Sequence, residues 1–438
     1  MSRAHYIIFG FLGLILTAIV VQSIFIPDPQ NAAPFTLTSP PAPVGSAEFL
    51  TTLSHLTGNA LNHDDAATMI SDTAFLPTLL ATINHASTSI NIADYPWQNG
   101  SFSDQIFTAL TVAAQRGVTV RVILDSFGGS SVSGQHIATL KKAGGIVAWY
   151  HPFLILNPMQ FDERNHVRTF IIDGTTAFVG SVGIEDRWIM NTNQYNQYND
   201  FMVEVNNTAA QSVQEIFAEL WREVTGEFLT GHVFYPPLPS TKKNTLSSST
   251  ATTTKINTLI SIPSFPPQNT NPIRDTFMLT ALSAQKKLYI LNTVIIPDKN
   301  FLAILEAKAR DGVDVRILSP GTVISPFILS AWHADYTQLL EAGVKLYEYQ
   351  PSMIHAKMML ADDVWSVVGS ADIDNRSYEL NTENLMGIAD PLFNAQLNVV
   401  FANDLSQSKQ ITLADWQKEY GFFSKLFSYI SLALFKQY

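Results

Sequence analysis

From Tyr6 to Ile26 the chain runs YIIFGFLGLILTAIVVQSIFI, 21 residues without a charge. At about 1.5 Å per residue, a helix of that length crosses a hydrocarbon core of roughly 30 Å. A cleaved signal peptide has a shorter apolar stretch of about 7–15 residues and a small-residue cleavage site. Val21-Gln22-Ser23 is a poor one. Residues 1–26 therefore read as a retained transmembrane anchor. Arg3 precedes the apolar run and the first charge after it is Asp28, which puts the rest of the chain outside the cytoplasm. Residues 27–47 carry six prolines, at 27, 29, 34, 40, 41 and 43, and predict a stiff, extended spacer.

Beyond the spacer one pattern is written twice. Thr88–Tyr95 (TSINIADY) alternates like a strand, Phe107–Arg116 has a helical period, and Val118, Val120 and Val122 form the next strand. The second copy runs Lys287–Val294 (KLYILNTV), Phe301–Arg310, then DGVDVRILSP. Gly117, Val118, Val120 and Arg121 match Gly312, Val313, Val315 and Arg316 at an offset of 195. LKKAGGIVAWYHP and LLEAGVKLYEYQP follow in the two copies, each a helix end, a Gly turn and a strand. A single Gly-Val after a helix means little, but the ordered set points to a duplicated α/β unit with parallel pairing. The Pro, Ser, Thr and Lys-rich stretch at 236–254 reads as a linker, so the halves span 48–235 and 255–417. In the last segment, 418–438, Phe423, Phe427, Ile430 and Leu434 recur at helical steps opposite Ser424, Lys425, Ser428 and Ser431. That pattern fits a helix lying in a bilayer interface and equally one packed on the domain.

Composition narrows the picture. In 438 residues, 46% apolar and 14% charged positions exclude a disordered chain. A net charge of −11 argues against bulk nucleic acid as the partner. The absence of cysteine rules out disulfides, thiolate metal sites and a cysteine nucleophile.

The chemistry-bearing signal follows in each half. RNHVRTFIIDGTTAFVGS supplies His166, Arg168, Asp173, Gly180 and Ser181; MIHAKMMLADDVWSVVGS supplies His355, Lys357, Asp362, Gly369 and Ser370. Every spacing is the same and the offset is 189 throughout. A lone histidine is most often a satisfied core or surface residue, but a doubled pattern at matching places in a repeat is not accidental. Residues two apart on a strand share a face. His and its cation therefore project together, with Val167 or Ala356 turned to the core between them. Ser181 and Ser370 are expected to bind phosphate oxygens. Two imidazoles, two cations and two hydroxyls in one pocket suit a phosphodiester: the cations hold the anion, one imidazole attacks phosphorus, and the other protonates the leaving alcohol. No cluster of carboxylates and histidines has metal-ligand spacing, and no metal or other cofactor is expected.

These residues resemble the phospholipase D superfamily with its duplicated HKD motif, and within it the bacterial cardiolipin synthases, over roughly Leu61 to Trp416. Supporting phrases include RDGVDVRILSPG, LLEAGVKLYEYQPSMIHAK and VVGSADIDNRSYELNTE. The resemblance implies two α-β-α sandwich halves related by a pseudo-twofold axis, with the site between them. It implies a covalent phosphohistidine, with His166 as nucleophile and His355 as acid and base. It also implies acidic residues that orient the histidines, here Glu383 and Asp200. The catalytic set is then His166, His355, Arg168, Lys357, Asp173, Asp362, Glu383 and Asp200. The expected partners are phospholipids such as phosphatidylglycerol and the bilayer itself. The expected location is a single-pass protein of the inner membrane with its catalytic part on the periplasmic side.

Three positions depart from the family pattern. Arg168 replaces a lysine, and the asparagine two residues after each motif serine is Gly183 in one half and Asp372 in the other. A hydrolase using water as acceptor would employ the same residues. A nuclease is disfavoured by the charge and the anchor. An inactive lipid-binding homologue is suggested by the three departures and opposed by the intact histidines, Lys357 and Glu383.

Overall fold

The computed structural model describes residues 36–63, 65–153, 162–191, 196–238, 257–266, 270–321 and 325–435, together with Gly10, Gly13 and Thr17. Apart from those three residues the predicted anchor lies outside the described residues, as do the first part of the proline spacer and nearly all of the 236–254 linker. Among the described residues no helix is long and apolar enough to cross a membrane.

In the first half seven strands, β1 (Ala67–Ser71), β2 (Ser89–Asp94), β3 (Thr119–Asp125), β4 (Ile146–Tyr150), β5 (Thr169–Ile172), β6 (Thr176–Gly180) and β7 (Phe201–Asn206), form one sheet. Their order is β1-β7-β6-β5-β2-β3-β4. The second half repeats it with β8 (Thr258–Ser264), β9 (Lys287–Leu291), β10 (Asp314–Pro320), β11 (Lys345–Tyr349), β12 (Met358–Ala361), β13 (Trp365–Gly369) and β14 (Asn381–Ala389), in the order β8-β14-β13-β12-β9-β10-β11. A further strand, β15 (Ser408–Ile411), adds to β11. The duplication read from the sequence is thus a duplication of topology. Within the seven strands of each half, parallel pairing is confined to β2-β3-β4 and β9-β10-β11, the strands joined by helices; the other pairs are antiparallel.

Helices α1 (Ala47–Thr57), α2 (Asp72–His85), α3 (Ser101–Gln115), α4 (Asn207–Thr225), α5 (Pro272–Ser283), α6 (Lys299–Arg310), α7 (Pro326–His333), α8 (Asn375–Glu379), α9 (Pro391–Ser406) and α10 (Phe422–Phe435) cover the sheets. α6 starts where the Asp298 carboxylate accepts the N–H groups of Asn300 and Phe301, at 2.8 and 3.0 Å. α2 and α3 cover the outer face of the first sheet, through Phe75, Leu79, Ile106 and Leu110. α5 and α6 do the same for the second. α1, placed with the first half by the sequence, packs on the second: Phe49, Leu50 and Leu53 join its core, and the Phe49 ring meets Trp365 edge-on at 5.1 Å.

The inner faces meet each other. Val167, Ile171 and Val179 from one half share a core with Ala356, Met358, Val368 and Met386 from the other, flanked by α4 and α9. Each half also reaches across to the other's motif. Arg164–Asn165 pairs parallel with Asn381 and Thr382 of β14. The His166 N–H donates to the Thr382 carbonyl (3.0 Å), and the His355 N–H to the Asn199 carbonyl (2.8 Å). The two histidine segments are therefore pinned at the seam.

Candidate active site

Both imidazoles sit at this seam, 13% and 12% exposed. His166 faces Glu383 Oε1 through Nδ1 at 2.7 Å, while Arg168 donates from one guanidinium nitrogen to Nε2 at 3.0 Å. Arg168 also donates to the His166 carbonyl at 2.7 Å. An imidazole that accepts at Nε2 carries its proton on Nδ1, so Glu383 accepts and fixes the tautomer. Burial and the neighbouring Arg168 charge hold the His166 pKa well below its usual value, and the ring is neutral.

His355 repeats the arrangement. Its Nδ1 faces Asp200 Oδ2 at 3.0 Å, and Lys357 Nζ lies 3.5 Å from Nε2. Lys357 donates to Thr293 Oγ1 (3.0 Å) and to the His355 carbonyl (3.1 Å). Burial and Lys357 push the His355 pKa down to about 4. Gly180 pairs with Met202 and Gly369 with Leu385, so Asp200 and Glu383 occupy equivalent sheet positions. Each carboxylate serves the histidine of the other half, and neither half holds a complete site.

The two carboxylates differ. Burial raises Asp200, but His355, the Lys357 charge and the Ser181 hydrogen bond together outweigh that and leave its pKa below the ordinary value. It also accepts from Ser181 Oγ at 2.6 Å and Trp188 Nε1 at 2.8 Å. Glu383 accepts from the Ser370, Ser377 and Asn381 side chains at 2.5, 3.0 and 3.3 Å. Burial nevertheless pushes it up to about 7.

Two expectations need correction. Ser181 and Ser370 do not present hydroxyls to a phosphate; each is buried and donates to a carboxylate, Asp200 or Glu383. Asp173 and Asp362 do not reach the site. Each follows the strand that leads away from its histidine, at a turn with positive φ (54° and 51°). Asp173 accepts the N–H groups of Ser87, Thr88 and Ser89 at 3.0, 2.8 and 3.0 Å. Asp362 accepts those of Gln285, Lys286 and Lys287 at 2.7, 2.7 and 3.0 Å. They clamp the start of β2 and β9 to the motif hairpins.

The departures acquire reasons. A Cβ on Gly183 would lie 2.6 Å from Pro96 Cδ and 3.0 Å from its carbonyl oxygen, so an asparagine does not fit. Asp372 is compensated by Lys357 at 3.5 Å and by the Val294 N–H at 3.1 Å. Arg376 pairs with Asp162 across the seam at 3.1 Å.

A cavity of about 440 Å³ opens on His166. Arg164, Arg376, Asp372, Asp374 and Asn381 supply polar walls, and Phe127, Val294, Ile296 and Ile328 apolar ones. Sequence reasoning missed Tyr95 and Thr293. Ser89 pairs with Thr119 where Lys287 pairs with Asp314, an offset of 287 − 89 = 198, and 95 + 198 = 293. Both contact the motif cation: Arg168 lies 5.8 Å from the Tyr95 ring centre, and Thr293 accepts from Lys357. Tyr and Thr share no chemistry, so only the sheet register exposes the equivalence.

The family model described as "Cardiolipin synthase, PLD-like domain" matches residues 79–221 and 279–405, one stretch in each half. The chain belongs to this phospholipase D-like family. It is an enzyme of the phospholipase D superfamily. Cardiolipin synthase A of Proteus mirabilis is 30% identical over 349 residues, 78% of this chain and 69% of that protein. Cardiolipin synthase 2 of Staphylococcus epidermidis is 28% identical over 376 residues, 85% and 72% of the two chains. Among solved structures, a phosphatidylserine synthase from Haemophilus influenzae superposes with a TM-score of 0.62 at 13% identity, covering 88% of this chain and 99% of its own. A polyphosphate kinase from Porphyromonas gingivalis gives 0.52 at 14%, covering 89% and 54%. At such identities these two structures speak for the fold alone.

Proposed function

We propose that this protein is a membrane-anchored phosphatidyltransferase that uses phosphatidylglycerol or a similar glycerophospholipid through a phosphatidyl-histidine intermediate. The observation that carries the reading is the pair of cross-braced imidazoles, each with a carboxylate on Nδ1 and a cation at Nε2. In the first step His166 Nε2 attacks phosphorus. An N–P bond forms, the P–O bond to the leaving alcohol breaks, and His355, having first taken a proton from solvent on Nε2 to become an imidazolium paired with Asp200, gives that proton to the departing oxygen. In the second step the acceptor hydroxyl attacks phosphorus, His355 takes its proton, and the N–P bond breaks. Arg168 and Lys357 hold the phosphoryl oxygens as charge builds on them.

The inequality of the carboxylates supports this division of roles. Asp200, held ionised, stabilises the imidazolium that His355 must become as a proton donor. Glu383, which burial brings to about 7, leaves the resting His166 ring neutral for attack and, once ionised, stabilises the positive charge that builds on it as the N–P bond forms. Transfer must beat water at about 55 M, which a positioned alcohol can do through effective molarities of roughly 10⁵ M or more. The 21-residue apolar segment would hold the site at a lipid surface, on the periplasmic side by its charge asymmetry. The test is purified full-length protein with phosphatidylglycerol as the only lipid. Cardiolipin and free glycerol are expected as main products; phosphatidic acid dominating at high lipid density would replace transfer with hydrolysis.

A further inference from the structure

The C-terminal helix α10 is packed inside out. Among its described side chains the buried ones are Ser428, Ser431 and Leu432, and Ser428 Oγ meets Ser330 Oγ of α7 at 3.1 Å. Phe423 is 83% exposed, Phe422 74% and Ile430 51%, with Leu426, Phe427 and Tyr429 exposed beside them. At 100° per residue these six positions fall on one continuous face. Phe327 of α7 extends it, its ring centre 5.3 Å from that of Phe427. A contiguous apolar face in water is unfavourable in proportion to its area and marks a surface that something covers.

Resting on the lipid reading above, we infer that the exposed face of α10 and Phe327 is the surface that seats the second half in an anionic phospholipid bilayer, next to the reaction cavity. The face is continuous with the cavity wall. Ile328, the residue after Phe327, lines the cavity together with Val294 and Ile296. Ile296 packs in one cluster with Ala331 of α7 and Leu432 of α10, against Val294. An acyl chain leaving the cavity by its apolar wall therefore meets the two helices that carry the face. Charge agrees: the chain carries −11 overall, yet α10 (FFSKLFSYISLALF) has Lys425 and no acidic residue. The tether agrees as well. The chain behind the apolar N-terminal segment enters the fold at Val44, buried in the second half's core with α1, the half that also bears α7 and α10. A second copy of the chain would cover the face equally, but nothing would then tie it to the cavity.

Since the protein has no cysteine, single probes can be placed cleanly. The full chain is reconstituted in phosphatidylglycerol vesicles with an environment-sensitive fluorophore on F423C, I430C or, as control, L392C, a 77% exposed position on α9. Labels at 423 and 430 are expected to shift to the blue and lose emission to nitroxides on lipid tails, with 392 unchanged. Emission at 423 and 430 that stays aqueous in vesicles overturns the proposal. A blue shift that depends on protein concentration in vesicle-free detergent assigns the face to a second copy and also overturns it. In parallel, F423S/F427S/I430S should lose roughly tenfold or more of its activity on vesicles while keeping that on a short-chain phosphatidylglycerol dissolved as monomer. Equal loss on both overturns the proposal. Wild-type protein inactive on both lipids defeats the transferase reading instead and leaves the probe result standing.

Discussion

Glu383→Gln should make this enzyme more stable and much less active. The glutamine keeps the size of the side chain and can still accept from His166 Nδ1, now 2.7 Å away. Ser370, which donates to Glu383, can turn toward the Asn384 carbonyl at 3.3 Å and accept from the new amide. What is lost is the charge. Burial lifts the Glu383 pKa from 4.5 to about 7. In the unfolded chain the group ionises near 4.5, so between the two values the folded state holds a proton that the unfolded state has released. Stability therefore falls as pH rises through this window and stays lower above it. With 1.36 kcal/mol per unit, the 2.5-unit gap corresponds to about 3 kcal/mol. Denaturant melts of wild type and E383Q from pH 4 to 9 should coincide near pH 4 and separate by about 3 kcal/mol at pH 8, the variant being more stable. Turnover at pH 8 should drop by roughly 10²–10⁴, because the neutral amide does not stabilise positive charge on His166 as the N–P bond forms. A pH-independent difference, or a less stable variant at pH 8, would refute the electrostatic argument. An active variant would refute the orienting role.

Asp173→Ala and Asp362→Ala each release three backbone N–H groups, so each should cost about 1–3 kcal/mol in a melt with turnover of the folded enzyme unchanged. Gly183→Asn should destabilise, because its Cβ meets the Pro96 backbone at 3.0 Å, and should not raise activity; a stable, faster variant contradicts that reading. Arg168 and Lys357 can neutralise the phosphate without help, and among the described residues no three histidines or carboxylates are grouped as metal ligands. Activity is therefore expected to survive EDTA, and complete loss restored by a divalent ion would sink the two-histidine mechanism.

The spacings made the duplication and the two histidine–cation pairs readable from the sequence, because strand periodicity is local. The carboxylate partners were readable only as likeness to a family. That they cross between halves depends on contacts 217 and 155 residues apart, which no local pattern encodes. Ser181 and Ser370 were misread because a hydroxyl beside a histidine suggests phosphate, whereas the pairing of β6 with β7 and β13 with β14 sets each against a buried carboxylate. Asp173 and Asp362 were misread because they share a motif with the chemistry, although four residues of strand carry them to its far end. α1 was assigned by proximity in sequence, but Phe49 finds its partner at Trp365. The inverted face of α10 was half visible: the periodicity was there, but which side the protein takes is decided by α7.

His166 must be the residue that carries the phosphatidyl group. Labelled phosphatidylglycerol is mixed with wild type, His355→Ala or His166→Ala, quenched in alkaline denaturant to preserve the N–P bond, and digested for mass mapping. A phosphatidyl adduct is predicted on His166, accumulating in His355→Ala and absent from His166→Ala. An adduct on His355, or one that survives His166→Ala, would contradict the assignment of nucleophile and acid.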